Sequence, residues 1–250
     1  VPFDRPPAPP EEVVPFEVER ATAASRFRAW TTASWWRPKA IAQVAAELVP
    51  LWLPAWHVEA DVEMHWAALE RARTQNGWRP RAGTDTAGAR TWIPASLGLS
   101  QAELGKLAPF ADERRRAFGG EDRTIAFELP ALSEAGARAR ALPIFEAMRN
   151  REIAAREGLS QCRGSARLHG VTSHLRVLPI WIGSFRYRDR AWRFVVNGQS
   201  GKVVGRAPLD RVKVGIAIVL GLVVAILVAA WLERHRPPPE PEHTAMHERP

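Results

Sequence analysis

Over positions 57–66 the chain alternates strictly between polar and apolar residues. Val58, Ala60, Val62, Met64 and Trp66 fall on one side of an extended chain, and His57, Glu59, Asp61, Glu63 and His65 on the other. A period of two with one apolar side predicts a half-buried β-strand. Elsewhere the period changes. Phe27 and Trp30, three positions apart and preceded by Ala21, Ala23 and Ala24, predict an amphipathic helix over 19–32. Pro38 suits the first turn of a short helix reaching Leu48. Ser100-Gln101-Ala102-Glu103 is a capping box that opens another. Ser133 caps a helical region running to Glu157, broken or kinked at Pro143 and closed by Gly158. Positions 77–88 read as loop, with strands following over 90–95 and 125–129.

The C-terminal third reads as a β-meander over 176–188, 191–197 and 202–206. Its turns are expected at Asp189-Arg190 and at Asn197-Gly198-Gln199-Ser200-Gly201, where glycines supply positive φ. One motif occurs twice. Pro50-Leu51-Trp52-Leu53-Pro54-Ala55-Trp56 matches Pro179-Ile180-Trp181-Ile182-Gly183-Ser184-Phe185 as Pro-apolar-Trp-apolar followed by a spaced aromatic. Segments 50–66 and 179–195 are therefore expected to share a sheet or to face each other. Continuing the frame sets His57, Glu59 and Asp61 against Arg186, Arg188 and Arg190, which predicts adjacent acidic and basic rows.

The apolar pattern is longest near the C-terminus. Positions 214–232, VGIAIVLGLVVAILVAAWL, hold 19 residues without a charge. At 1.5 Å per residue they span about 28 Å, close to a bilayer's hydrocarbon core. A buried core helix is a poor alternative, because the run is apolar on all sides and Pro237, Pro238 and Pro239 follow it closely. A transmembrane helix is expected over 211–233. Arg211 and Lys213 flank one end, and Trp231 and Arg234 the other. The slightly larger basic flank on the N-terminal side, with no secretory leader pattern at the start, places the larger N-terminal part in the cytoplasm under the inner membrane.

The organisation expected is thus a Pro-rich linker over 1–12, an α+β domain over 13–210, the membrane helix, and a Pro-rich polar tail over 234–250. The domain is read as antiparallel strands in a meander with short helices.

Composition changes this picture little. Lys and Arg number 35 against 27 Asp and Glu, a net charge of +8. That excess admits anionic lipid or nucleic acid as a partner. Positions 185–194, FRYRDRAWRF, interleave arginines with rings as a single-strand-binding face could, although a sheet with one charged face gives the same pattern. The lone cysteine, Cys162, excludes an intramolecular disulfide and a four-cysteine zinc site. His57, Glu59 and His65 are metal-capable, but alternation alone accounts for polar groups there. Gly198-Gln199-Ser200-Gly201-Lys202 imitates a phosphate-binding loop and fails its motif. Val196 stands where the first glycine belongs, Val203 where the hydroxyl belongs, and a strand pattern follows instead of a helix. No catalytic constellation and no cofactor is implied.

These residues do resemble a family. LPIWIGSFRYRDRAWRFVVNGQSGKVVGRAP, at 178–208, is similar to the C-terminal signature of bacterial zinc-ribbon membrane proteins. Their function is uncharacterised, and they are often labelled primosomal protein N′-like or TFIIB-type zinc-ribbon proteins. Segments 13–41, 51–62 (LWLPAWHVEADV), 92–110 and 117–122 (AFGGED) follow the family's order, so the likeness covers about 13–213. Asn197, Gly198, Gln199 and Gly201 mark it most specifically. No cysteine pair exists here, so the family's zinc ribbon is either absent or lies before Val1, and the region around 67–95 is shorter. The resemblance implies a membrane anchor beside phage-shock and flotillin-like (SPFH) proteins. The expected function is accordingly a non-enzymatic adaptor or scaffold at the inner leaflet, bound to membrane lipid and to a protein partner. A membrane-tethered nucleic-acid-binding module is the alternative.

Overall fold

The computed structural model describes residues 12–71 and 77–235. The linker expected over 1–12 and the tail expected over 234–250 lie almost wholly outside the described residues. The chain divides into two compact units. A sheet unit holds the chain up to Ala33 together with Lys39–Ala207, and a second unit holds Ser34–Pro38 and the chain from Pro208.

The sheet unit runs β1 (Glu12–Val13), α1 (Arg20–Thr32), a 3-10 turn (Lys39–Gln43), β2 (Glu47–Arg71), β3 (Trp78–Pro94) and α2 (Gln101–Leu107). It continues through β4 (Arg116–Ala117), β5 (Ala126–Phe127), α3 (Glu134–Glu157), β6 (Ser160–Tyr187), β7 (Arg190–Asn197) and β8 (Val203–Gly205). These eight strands form one sheet in the order β3-β2-β6-β1-β4. The meander β6-β7-β8 leaves β6, and β5 lies beside β2. Pairing is antiparallel except for β1 with β6 and β2 with β5. The second unit carries α4 (Arg211–Arg234), a helix long and apolar enough to cross a membrane, with none of its residues buried. The protein is therefore α+β, with a mostly antiparallel sheet and a C-terminal apolar helix.

Local signals placed several elements. Ser100 and Glu103 close a reciprocal capping box on α2. Ser133 accepts from the Gly136 amide at the start of α3, and Gly158 ends that helix in the left-handed conformation. Pro143 does not divide α3, which is one helix of 24 residues. The segment after Pro38 forms only the 3-10 turn before β2 begins.

Two stretches are extended well beyond expectation. Positions 77–88, expected as loop, belong almost entirely to β3, and β6 starts at Ser160 instead of 176. Both flank the middle of β2. Trp66 pairs with Gly83 on one side and Gly164 on the other, and a Cβ at Gly83 would lie 2.8 Å from the Trp66 ring. Gly83, one of the glycines that suggested loop, gives this indole room. Gly170, at φ 59°, sits in an irregularity where two residues of β6 oppose Ala60 alone, as in a β-bulge.

The repeated motif pairs with itself. Pro50 lies opposite Trp181, Leu51 opposite Ile180 and Trp52 opposite Pro179. The strands share a sheet, but their antiparallel run corrects the expected charge pairing. Glu59 faces Thr172 and Asp61 faces His169, while Arg186 faces Ala191 on β7. The acidic and basic rows point away from the motif in opposite directions. The tight turn after β6 also shifts by one residue. Arg188 and Asp189 hold the positive φ angles, 47° and 61°, that suit a two-residue hairpin.

The core explains which strand residues are apolar. On one face, Leu53, Ala55, Leu178, Ile180 and Val195 pack against Leu104 and Leu107 of α2. On the opposite face, Trp181, Phe185, Phe194 and Val196 pack against Ala23 and Phe27 of α1, with Phe27 and Phe194 stacked at 4.0 Å. Val58, Ala60 and Val62 meet Ala137, Ala141 and Phe145 of α3. Strands near the repeated motif are covered on both faces, so their runs are continuously apolar. Farther along β2, Glu59, Asp61 and His65 are exposed, and the strand alternates.

Candidate functional site

His57 stands where the cover over the α2 face of β2 ends. The pattern placed it on the polar side, yet it is only 5% exposed. Its ring stacks on Trp92 of β3, with centroids 4.4 Å apart. Its Nδ1 lies 3.7 Å from Asp112 Oδ2 and 3.7 Å from Glu59 Oε1. Asp112 is itself oriented by Arg176 Nε at 3.2 Å, and Arg176 Nη1 reaches Glu12 at 2.8 Å. Burial holds the His57 imidazole below the usual histidine range, and the nearby Asp112 and Glu59 carboxylates offset this only partly.

Above His57 opens a cleft of about 520 Å³, lined by Glu17, Arg90, Trp92, the segment 108–114, Gln199 and Ser200. The Asn197–Gly201 hairpin shapes its wall. Asn197 is fully buried, and its Nδ2 donates to the carbonyls of Leu107 at 3.0 Å and Pro109 at 3.1 Å. Its Oδ1 accepts from the Gln199 and Ser200 amides at 2.8 and 3.0 Å. Gln199 Oε1 accepts from the Ala111 amide at 2.8 Å, and Lys202 Nζ donates to the Ala108 carbonyl at 2.8 Å. The two glycines serve different ends. Gly201 takes φ 74°, as a turn glycine should. Gly198 is required by space, because a Cβ there would lie 2.6 Å from the Phe16 ring.

The rim carries opposed charges. Arg114 Nη1 meets both Glu17 carboxylate oxygens, at 2.9 and 2.8 Å, and holds that carboxyl below its ordinary range. A floor of Trp92 and Phe110 below polar walls can grip an amphipathic side chain or loop. Cys162 lies elsewhere, 3.8 Å from Asn150 Oδ1, and burial pushes its thiol up, away from the thiolate a nucleophile needs.

The metal-capable residues of the sequence are separated. Glu59 neighbours His57, whereas His65 lies along β2 at 3.1 Å from Glu63, whose other oxygen is 2.8 Å from His169 Nε2. Among the described residues, no group of three or more His, Cys, Asp or Glu side chains is placed to hold a metal ion. The Asn197–Gly201 hairpin, by contrast, lines the same cleft as His57 through Gln199 and Ser200. Asp112 was not legible as a partner of His57, since that contact joins the 108–114 segment to β2.

At the helical unit, Lys213 Nζ donates to the carbonyls of Trp35 at 2.8 Å and Arg37 at 3.3 Å. Asp210 accepts from the Val212 amide and caps α4. Arg211 is exposed at the same end, while Trp231 stacks on His235 at 4.6 Å and Arg234 occupies the last turn.

No protein-family model and no solved structure matches this chain. Over 44 residues it is 46% identical to Uncharacterized protein YdjG of Bacillus subtilis (strain 168). That stretch is 18% of this chain, and it spans about an eighth, 13%, of YdjG.

Proposed function

We propose that the protein is a membrane-anchored, non-enzymatic adaptor. Helix α4 crosses the inner membrane, the sheet unit lies on the cytoplasmic side, and the His57 cleft receives a protein partner at the inner leaflet. The observation that carries this reading is α4, with 24 residues, a charge-free centre and no buried residue. Such a surface is stable only when covered, and a bilayer is the cover its length fits. The resemblance to zinc-ribbon membrane proteins supports a partner of the phage-shock or SPFH class.

Of the four rings behind the nucleic-acid alternative, Tyr187 and Trp192 are partly exposed. Phe185 and Phe194, two of the rings set among arginines, are buried against α1 and cannot stack on bases.

The test is photo-crosslinking from position 200 in intact cells. A discrete protein adduct, abolished by deleting 211–234, is expected. Absence of any adduct, or salt-sensitive binding of single-stranded DNA by the full chain, overturns the adaptor reading. Protease treatment of spheroplasts checks orientation, and loss of the sheet unit there places it outside.

A further inference from the structure

The second unit contains more than α4. It includes Ser34–Pro38, a segment that the chain inserts between α1 and the 3-10 turn. Trp35 and Trp36 are adjacent, 61% and 42% exposed, and their rings meet edge to face at 5.1 Å. Their backbone is fixed to the start of α4. The Asp210 amide donates to the Trp36 carbonyl at 2.8 Å, and Lys213 Nζ donates to the Trp35 carbonyl at 2.8 Å. The same ammonium lies 5.3 Å from the Trp35 ring centroid and 3.5 Å from Asp210 Oδ2.

The indoles are therefore held at one level of the helix. That level is Asp210 to Lys213, directly before the charge-free run begins at Val214. Leu209 and Val212 are exposed beside them. In water, two bare indoles cost free energy. At the boundary between headgroups and acyl chains, the ring is buried and its N–H stays wet, which is why tryptophan concentrates there. The far end of α4 carries Trp231, also exposed. The helix thus has an aromatic marker at each end, and the near one comes from a distant part of the sequence.

We propose that Trp35 and Trp36 insert into the headgroup–acyl boundary of the bilayer crossed by α4, giving the protein a second lipid contact. This rests on the membrane-spanning reading of α4, and the test separates the two. Cys162→Ser protein is made with one new cysteine, Trp36→Cys, Leu209→Cys, Val223→Cys or Leu97→Cys. Each is labelled with the environment-sensitive dye NBD in vesicles of phosphatidylethanolamine and phosphatidylglycerol. Leu97, 94% exposed in the sheet unit, reports water. Blue-shifted emission relative to Leu97→Cys is expected at all three other positions. It should be largest at Val223→Cys, while shallow nitroxide lipids quench Trp36→Cys and Leu209→Cys best. If Val223→Cys is apolar while Trp36→Cys and Leu209→Cys match Leu97→Cys, the loop contact is overturned and the helix reading stands. If Val223→Cys also matches water, both fall. Leu209→Cys keeps both indoles, so the result survives a failure of Trp36→Cys to fold.

Discussion

Asn197 connects the hairpin to the cleft by four hydrogen bonds made from a fully buried side chain. Asn197→Ala leaves two carbonyls and two amides without that partner, at a cost of about 2–4 kcal/mol. Urea unfolding of the chain in detergent should show the loss. His57 sets a pH dependence. Its native imidazole titrates below the unfolded value of about 6.5, so the unfolded state binds the proton first. Stability is full above pH 6.5 and falls as pH drops from there toward the native value. His57→Gln removes this component, so its melting temperature should change less than the wild type's between pH 7.5 and 5.5. An equal change in both would show that the site does not titrate as described. At this scale the sequence was legible in part. Gly201 reads as a turn glycine, whereas Gly198 answers to Phe16, far away in the chain, and no local rule finds it.

Among the elements, α3 depends on one buried ion pair as well as on its apolar stripe. Arg149, 6% exposed, pairs with Asp85 of β3, and Arg156 reaches the same carboxylate at 3.3 Å. Asp85→Ala leaves Arg149 with Glu152, at 2.5 Å, as its remaining counter-charge and should cost about 1–3 kcal/mol. Arg149→Met, which removes the charge and keeps the volume, should cost clearly less, and comparing the two denaturation midpoints decides. Strand β2 was readable because α3 buries one of its sides, which forces the alternation. The edge strand β3 and the early part of β6 were not readable. Arg79, Arg81, Arg163 and Arg167 are exposed there, Gly83 makes room for the Trp66 ring and Gly164 for the His65 carbonyl and Met64, so neither stretch shows a strand's composition. Arginines in 185–194 looked like an acid-facing row, but antiparallel pairing carries them away from Glu59.

For the molecule as a whole, α4 was the plainest feature of the sequence, because a helix able to cross a membrane needs only length and the absence of charge. Val223→Lys places an ammonium near the centre of the run, at about 3 kcal/mol of insertion free energy. Carbonate washing of membranes should then release a larger share of the protein than of the wild type. The Ser34–Pro38 segment was invisible by the same standard, since its two tryptophans acquire meaning only from Asp210 and Lys213.

The long β2–β6 ladder also sets the order in which the protein can come into being. Glu63 meets His169 across 106 positions of chain. While a ribosome is still making α3, β2 has only β3 and the short β5 beside it and still lacks β6 along its other edge. Loop closure over such distances is slow and leaves unpaired edges open to aggregation. The strands that end this exposure, β6 to β8, are synthesised directly before α4. Sheet closure and capture of the apolar helix therefore fall in the same short interval of synthesis. A ribosome stalled before β6 would hold a nascent chain with one edge of the 25-residue β2 still unprotected.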